Sequence, residues 1–326
     1  MFGNKLVTSM IDRSAETGAD RRSFLRTAGL AGLGVAGAAA VGTGGASAAS
    51  AADTNPPSSA QPNGQTANGE LISDATILNF ALNLEYLEAE FYSYAAFGRG
   101  LDSRDIDGNY NIGAVTGGSK VPFKSASVRK IAEAIARDEI AHVKLLRAVL
   151  GTVKVSRPTI DLVGSFTAAA QAAGLIKPGQ TFNPFADENS FLLGAFLFED
   201  VGVTAYKGAA PLISNKTYLE AAAGILAFEA YHAATIRTTL EARGLASAAD
   251  AISNARDSLD GPTDVDQGIT GPNRSFIVAP GDANGVAYSR TFGQVLNVVF
   301  LNPGKTNRGG FFPQGVNGDI RASDAH

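Results

Sequence analysis

The chain has no cysteine, so disulfides and thiolate metal ligands are closed to it, and packing or a metal held by other donors must stabilise it. It has no basic excess either. With 27 Lys and Arg against 31 Asp and Glu the net charge is −4, which removes nucleic acid from the expected partners. The apolar run from Ala28 to Val41 is rich in glycine and alanine and too weak to span a membrane. Histidine is scarce, at three residues. Beyond Leu245 glutamate disappears and a single lysine remains.

Against that scarcity, two of the three histidines follow a glutamate at the same offset, in Glu139-Ile140-Ala141-His142 and Glu229-Ala230-Tyr231-His232. On a helix, residues i and i+3 lie about 60° apart and can reach one point. The rest of that face is apolar in both copies: Ala132, Ile135, Val143 and Leu146 around the first, Ala222, Ile225, Ala233 and Ile236 around the second. A carboxylate in the middle of such a stripe is expected to be buried, and an unpaired buried charge costs several kcal/mol, roughly. A cation should therefore meet these groups.

Glu85 and Glu199 stand in mid-stripe on two further helical segments, each with a tyrosine seven residues on, Tyr92 and Tyr206. The order Glu, Glu-x-x-His, Glu, Glu-x-x-His on four helices is the inward-facing ligand set of di-iron and di-manganese carboxylate bundles. Four carboxylates would be neutralised by two divalent ions. A set of Glu, His and water suits iron or manganese, and zinc stays compatible with it. The tyrosines read as amphipathic core residues in preference to groups acting at the site.

The four helices resemble the ferritin-like superfamily, and Asp138-Glu139-Ile140-Ala141-His142 is similar to the Asp-Glu-x-x-His of bacterioferritins. Several stretches resemble bacterial ferritin-like proteins related to plant desiccation-related proteins: Leu84 to Tyr92, Phe198 to Ala209, Glu229 to His232 and Gly309 to Gly318. The resemblance implies an all-α four-helix bundle, up-down-down-up, with one long crossover and a C-terminal extension carrying a short helix. It implies that Glu85, Glu139, His142, Glu199, Glu229 and His232 hold two divalent metal ions, with Glu139 and Glu229 bridging. By analogy with related di-metal proteins, Asp138 is expected to orient His232, while Phe228 in the matching place leaves His142 without such a partner. Glu88, one turn from Glu85, is either an extra ligand or the partner of a neighbouring Arg or Lys, the second being favoured. Glu90 should be solvated.

Residues 1–51 read as a twin-arginine targeting segment, with Arg21-Arg22-Ser23-Phe24-Leu25-Arg26, the apolar run, and small residues around Ala46-Ser47-Ala48. Residues 52–70 read as a disordered linker, 71–245 as the bundle and 246–326 as an extension packed on it. Asp105-Ile106-Asp107-Gly108-Asn109 reads as a turn rather than a calcium loop, because Ala114 stands where the twelfth-position glutamate is needed. Short helices are expected over Ile160 to Ala173 and, capped by Ser289, over Phe292 to Leu301.

Two functions follow. One is an exported di-metal oxidoreductase acting on oxygen, peroxide or ferrous ion; the other is a non-catalytic desiccation or stress protein that any metal merely braces. Metal ions and a small oxidant or ferrous ion are the expected partners. No stable membrane anchor is expected after cleavage, and a homodimer is left open.

Overall fold

The computed structural model describes residues 72–326, so the targeting segment and linker lie outside the described residues. Four long helices carry the two Glu-x-x-His segments and the two lone glutamates. They are α1 (Asp74–Phe97), α2 (Ala126–Leu150), α4 (Glu188–Ala209) and α5 (Lys216–Ala242). Each starts where a short polar side chain can accept from orphan backbone N–H groups: Ser73, Ser125, Asp187 and Asn215. The first ends at Gly98, whose φ of 75° is the left-handed stop that glycine adopts at little cost.

Contacts between helix ends give their directions. Asn79, early in α1, bonds the Val153 carbonyl and the Val155 N–H just past α2, while the Val121 N–H before α2 reaches Ala95, late in α1; the pair is antiparallel. Arg243 after α5 meets Glu188 at the start of α4, so this pair is antiparallel too. Glu188 also accepts from the N–H groups of Lys124 and Ser125, placing the starts of α2 and α4 at one end. The bundle is therefore up-down-down-up, and residues 151–187 are the long crossover. It carries α3 (Gly164–Ala172), shorter than the segment expected, because Ile160–Asp161 (β2) instead pairs in parallel with Val115–Thr116 (β1).

Helices α2 and α5 bury one stripe, as their periodicity predicts, whereas α1 is buried at every position from Ile77 to Ser93 and α4 at every position from Phe191 to Gly202. Loops cover what would be their outer faces. Phe311 from the C-terminal segment and Phe166 from α3 meet edge-on at 4.9 Å, and both rings pack against Phe198. This corrects the expectation of a solvated Glu90. It is buried, ion-paired with Arg157 of the crossover, and accepts from the Leu101 N–H at 3.2 Å. A helical stripe marks the apolar face, but a polar face can still be covered by a loop remote in sequence.

The 103–107 turn directs Asp105 towards Lys144 and Asp107 to Arg147. Beyond the bundle, α6 (Ala246–Asp257) had no expectation in the sequence, and α7 (Phe292–Phe300) is capped by Thr291 in a reciprocal box with Gln294, not by Ser289. Three buried arginines tie this segment to α4. Arg237 and Arg256 share Asp200 at 2.8 and 3.0 Å, and Arg256 and Arg290 share Asp266 at 2.8 Å. Among the described residues no helix is long and apolar enough to cross a membrane.

Candidate metal centre

The six expected residues converge. Glu85, Glu139, His142 and Glu229 place ligand atoms within 4.8 Å of one another, and so do Glu139, Glu199 and His232. His142 Nδ1 lies 3.3 Å from Glu85, 3.4 Å from Glu139 and 3.9 Å from Glu229. His232 Nδ1 lies 3.0 Å from Glu139 and 3.5 Å from Glu199. Glu139, common to both groups, is fully buried between imidazoles whose centroids are 6.3 Å apart.

Orphaned atoms test whether this arrangement fits a metal. Glu85 Oε2, Glu139 Oε1, Glu199 Oε2, both oxygens of Glu229 and His232 Nδ1 are buried without a hydrogen-bond partner. The 3.0 Å approach of His232 Nδ1 to Glu139 is within ion-pair distance, yet neither atom is directed to hydrogen-bond the other. Lone pairs that share a space without satisfying one another suit a bound cation, and hard oxygen and imidazole donors suit a divalent first-row metal.

The proton equilibria of these side chains carry the same tension. Burial pushes Glu85 up to about 7 against the pull of His142, and pushes Glu229 well above the usual carboxylate range with help from Glu88 and Glu139. Burial also opposes ionisation of Glu139, but the imidazoliums of His142 and His232 outweigh it and hold that carboxyl far below its ordinary value. For the histidines burial alone would lower basicity; the facing carboxylates, Glu85 foremost for His142 and Glu199 for His232, raise them to about 11 and about 12.

Supporting groups hold the donors in place. Asp138 lies 3.3 Å from His232 Nε2, as expected, and fixes its ring so that Nδ1 faces the centre. Phe228 stands edge-on to His142 at 5.6 Å and to His232 at 6.1 Å while 45% exposed, so it is the cover between the imidazoles and water. The tyrosines are buried in the core as expected, and they also reach the site. Tyr92 donates to Glu199 and Tyr206 donates to Glu85, each across the bundle, and both hydroxyls are fully buried. Their matching spacing after each glutamate was the available signal. Glu88 is a second correction: among the described residues no Arg or Lys meets it, and its Oε2 is buried without a partner. Gly202, missed in the sequence, faces Glu229 so closely that a Cβ would overlap the carboxylate.

Residues 73–242, the bundle that builds this centre, match the family model for the ferritin-like domain. The chain belongs to the ferritin-like family. It is 32% identical over 271 residues to the desiccation-related protein PCC13-62 of Craterostigma plantagineum, covering 76% of this chain and 83% of that one. It is 29% identical over 287 residues to the ferritin-like catalase Nec2 of Nesocodon mauritianus, covering 81% and 90%. No solved structure matches it significantly.

Proposed function

We propose that this ferritin-like protein is a di-metal carboxylate oxidoreductase that disproportionates hydrogen peroxide, two molecules giving dioxygen and two waters. One observation carries the reading: six Glu and His side chains from four helices bring ligand atoms to a common space, and five of them hold buried atoms there without a hydrogen-bond partner. The likeness to a relative named a ferritin-like catalase supports the choice of peroxide. Glu85, Glu139, His142 and Glu229 would hold one ion, and Glu139, Glu199 and His232, with Glu229 shared, the other. Iron or manganese there would supply the two-electron redox cycle. The protein's part is to orient donors through Tyr92, Tyr206 and Asp138, and to restrict access with Phe228 to molecules about the size of peroxide.

The test is protein loaded with manganese(II) or with iron(II), assayed for metal per chain and for oxygen released from peroxide. Two ions and rapid oxygen release support the reading. Two ions with oxidation of ferrous ion but no oxygen release would move the activity to iron. Metal-dependent heat resistance without either activity would favour the bracing role, which the likeness to a desiccation-related protein keeps in view.

We also infer export by the twin-arginine route, supported by Arg21 and Arg22 ahead of a weak apolar run. A folded, metal-loaded protein is the kind of cargo that route carries. Replacing both arginines with lysine should retain the precursor inside the cell; mature protein outside would refute the route.

A further inference from the structure

Glu88 occupies the same face of α1 as Glu85, one turn on, and is about as buried as the two histidines of the centre. Its carboxylate oxygen lies within 4.8 Å of ligand atoms of Glu199 and Glu229, and its Oε2 has no hydrogen-bond partner. Neither histidine of the centre reaches it, and among the described residues no Arg or Lys pairs with it. Glu85, Glu139 and Glu199 each have an imidazole within 3.5 Å, so they are partly compensated before any metal arrives. Glu229 has His142 only at 3.9 Å, and Glu88, which faces it, has neither imidazole. A buried carboxylate in this position is stable only beside a cation or with a proton shared with a neighbouring carboxylate, and a cation serves Glu88, Glu199 and Glu229 at once.

We propose that Glu88 is a seventh ligand of the centre, bound to the ion held by Glu199 and His232. The inference rests on the di-metal reading above and deepens it. The group of Glu88 shares Glu229 with the group around His142 and Glu199 with the group around His232; with Glu229 read as the bridge, Glu199, which serves the second ion alone, assigns Glu88 to that ion. That ion then has two acidic supports the first lacks, since Asp138 also bears on His232. The centre is therefore unequal by construction. Its first ion has four protein ligands; its second has five, including one more negative charge. The second site should bind divalent metal more tightly, fill first, and give up its ion last.

The test uses Glu88→Gln, which removes the charge and keeps the size. Full-length wild type and variant are loaded with manganese(II), and metal per chain, stepwise affinity by competition with a chelator, and the manganese electron paramagnetic resonance spectrum are measured. Circular dichroism checks the fold. Wild type should take up two ions with clearly separated affinities. In Glu88→Gln the tighter step should weaken by roughly tenfold or more, the range that even supporting groups around metal ligands command. The looser step should change little, and the spectrum of the singly loaded protein should shift. Equal affinities and identical spectra in wild type and variant would overturn the assignment. So would three ions in wild type with one wholly lost in the variant, because Glu88 would then serve a separate site. A wild type that binds no manganese or iron at all fails the di-metal reading itself, an outcome distinct from either.

Discussion

Tyr92 donates its hydroxyl hydrogen to Glu199, and Tyr206, seven residues after Glu199, donates to Glu85, seven residues before Tyr92. The two bonds are each other's mirror across antiparallel α1 and α4. Each tyrosine holds the rotamer of the lone glutamate contributed by the opposite helix. Tyr92→Phe and Tyr206→Phe should each weaken metal binding by about tenfold. In the metal-free protein the loss of a donor to a buried acceptor should cost about 1–3 kcal/mol. Chelator competition and denaturant unfolding measure the two effects. Unchanged metal affinity in both variants would return the tyrosines to an ordinary core role.

The titration shifts set a pH dependence with a definite sign. Glu85 has its folded value raised from 4.5 to about 7, so between those limits the folded state binds more protons and stability falls as pH rises. His142 and His232 are raised from 6.5 to about 11 and about 12, so their contribution is complete below 6.5 and is lost as pH rises through the folded values. Both effects run the same way. Chelated protein should melt lower at pH 8 than at pH 5, while metal uptake, which must displace these protons, should strengthen over that range. Melting curves with and without chelator should therefore diverge as pH rises. Convergence towards pH 8 would contradict the geometry.

The two outer helices and the donor set were legible because their chemistry is periodic. A Glu-x-x-His inside a helical apolar stripe states both the face and the ligands, and α2 and α5 bury the stripes so marked. The inner helices were legible only in part. Glu90 and Tyr86 of α1 are covered by segments remote in sequence, through Arg157 for one and Arg147 for the other, and no local pattern carries that information. Glu88 lies on the stripe, but its lack of a cationic partner is a property of the assembled core. Helix α6 escaped because its buried face, Ala249, Ile252, Ser253 and Arg256, is mostly small or polar; three arginines, not an apolar stripe, secure its surroundings.

Those arginines lead to a stability prediction. Arg256 is buried between Asp200 and Asp266 and also donates to the Phe196 carbonyl at 2.5 Å, with its guanidinium 4.7 Å over the Phe196 ring. Arg256→Ala leaves two carboxylates without a shared partner and should cost about 3–5 kcal/mol. Because Asp200 follows Glu199 directly, the same variant should also loosen the second ion. Denaturant unfolding and metal titration test the two consequences separately. A loss below about 1 kcal/mol would mean that Arg237 and Arg290 compensate.

Phe228 covers the imidazoles from the solvent side. Phe228→Ala should open that path without touching a ligand, so metal should be extracted by a chelator several times faster while equilibrium stoichiometry holds. Inhibitory anions larger than peroxide should gain access. Equal extraction rates would place the route elsewhere.

Two helix glycines offer a contrast that isolates the centre from helix stability. A Cβ added at Gly224 of α5 meets nothing within 4 Å, so Gly224→Ala should only reduce backbone freedom in the unfolded chain and raise stability by about 0.5–1 kcal/mol. Gly202→Ala brings the same gain in helix propensity, but its methyl occupies the space of the Glu229 carboxylate. Glu229 must then turn away from a position it holds in the group around His142 and in the group with Glu88 and Glu199. The expected outcome is a protein with native helical content that binds both ions at least about tenfold more weakly, because a displaced bridging carboxylate fails two ions at once. Metal titration and circular dichroism of the two variants side by side decide the matter. If Gly202→Ala binds metal as wild type does, Glu229 is not the bridge, and the common space between the two histidines must be closed by Glu139 alone.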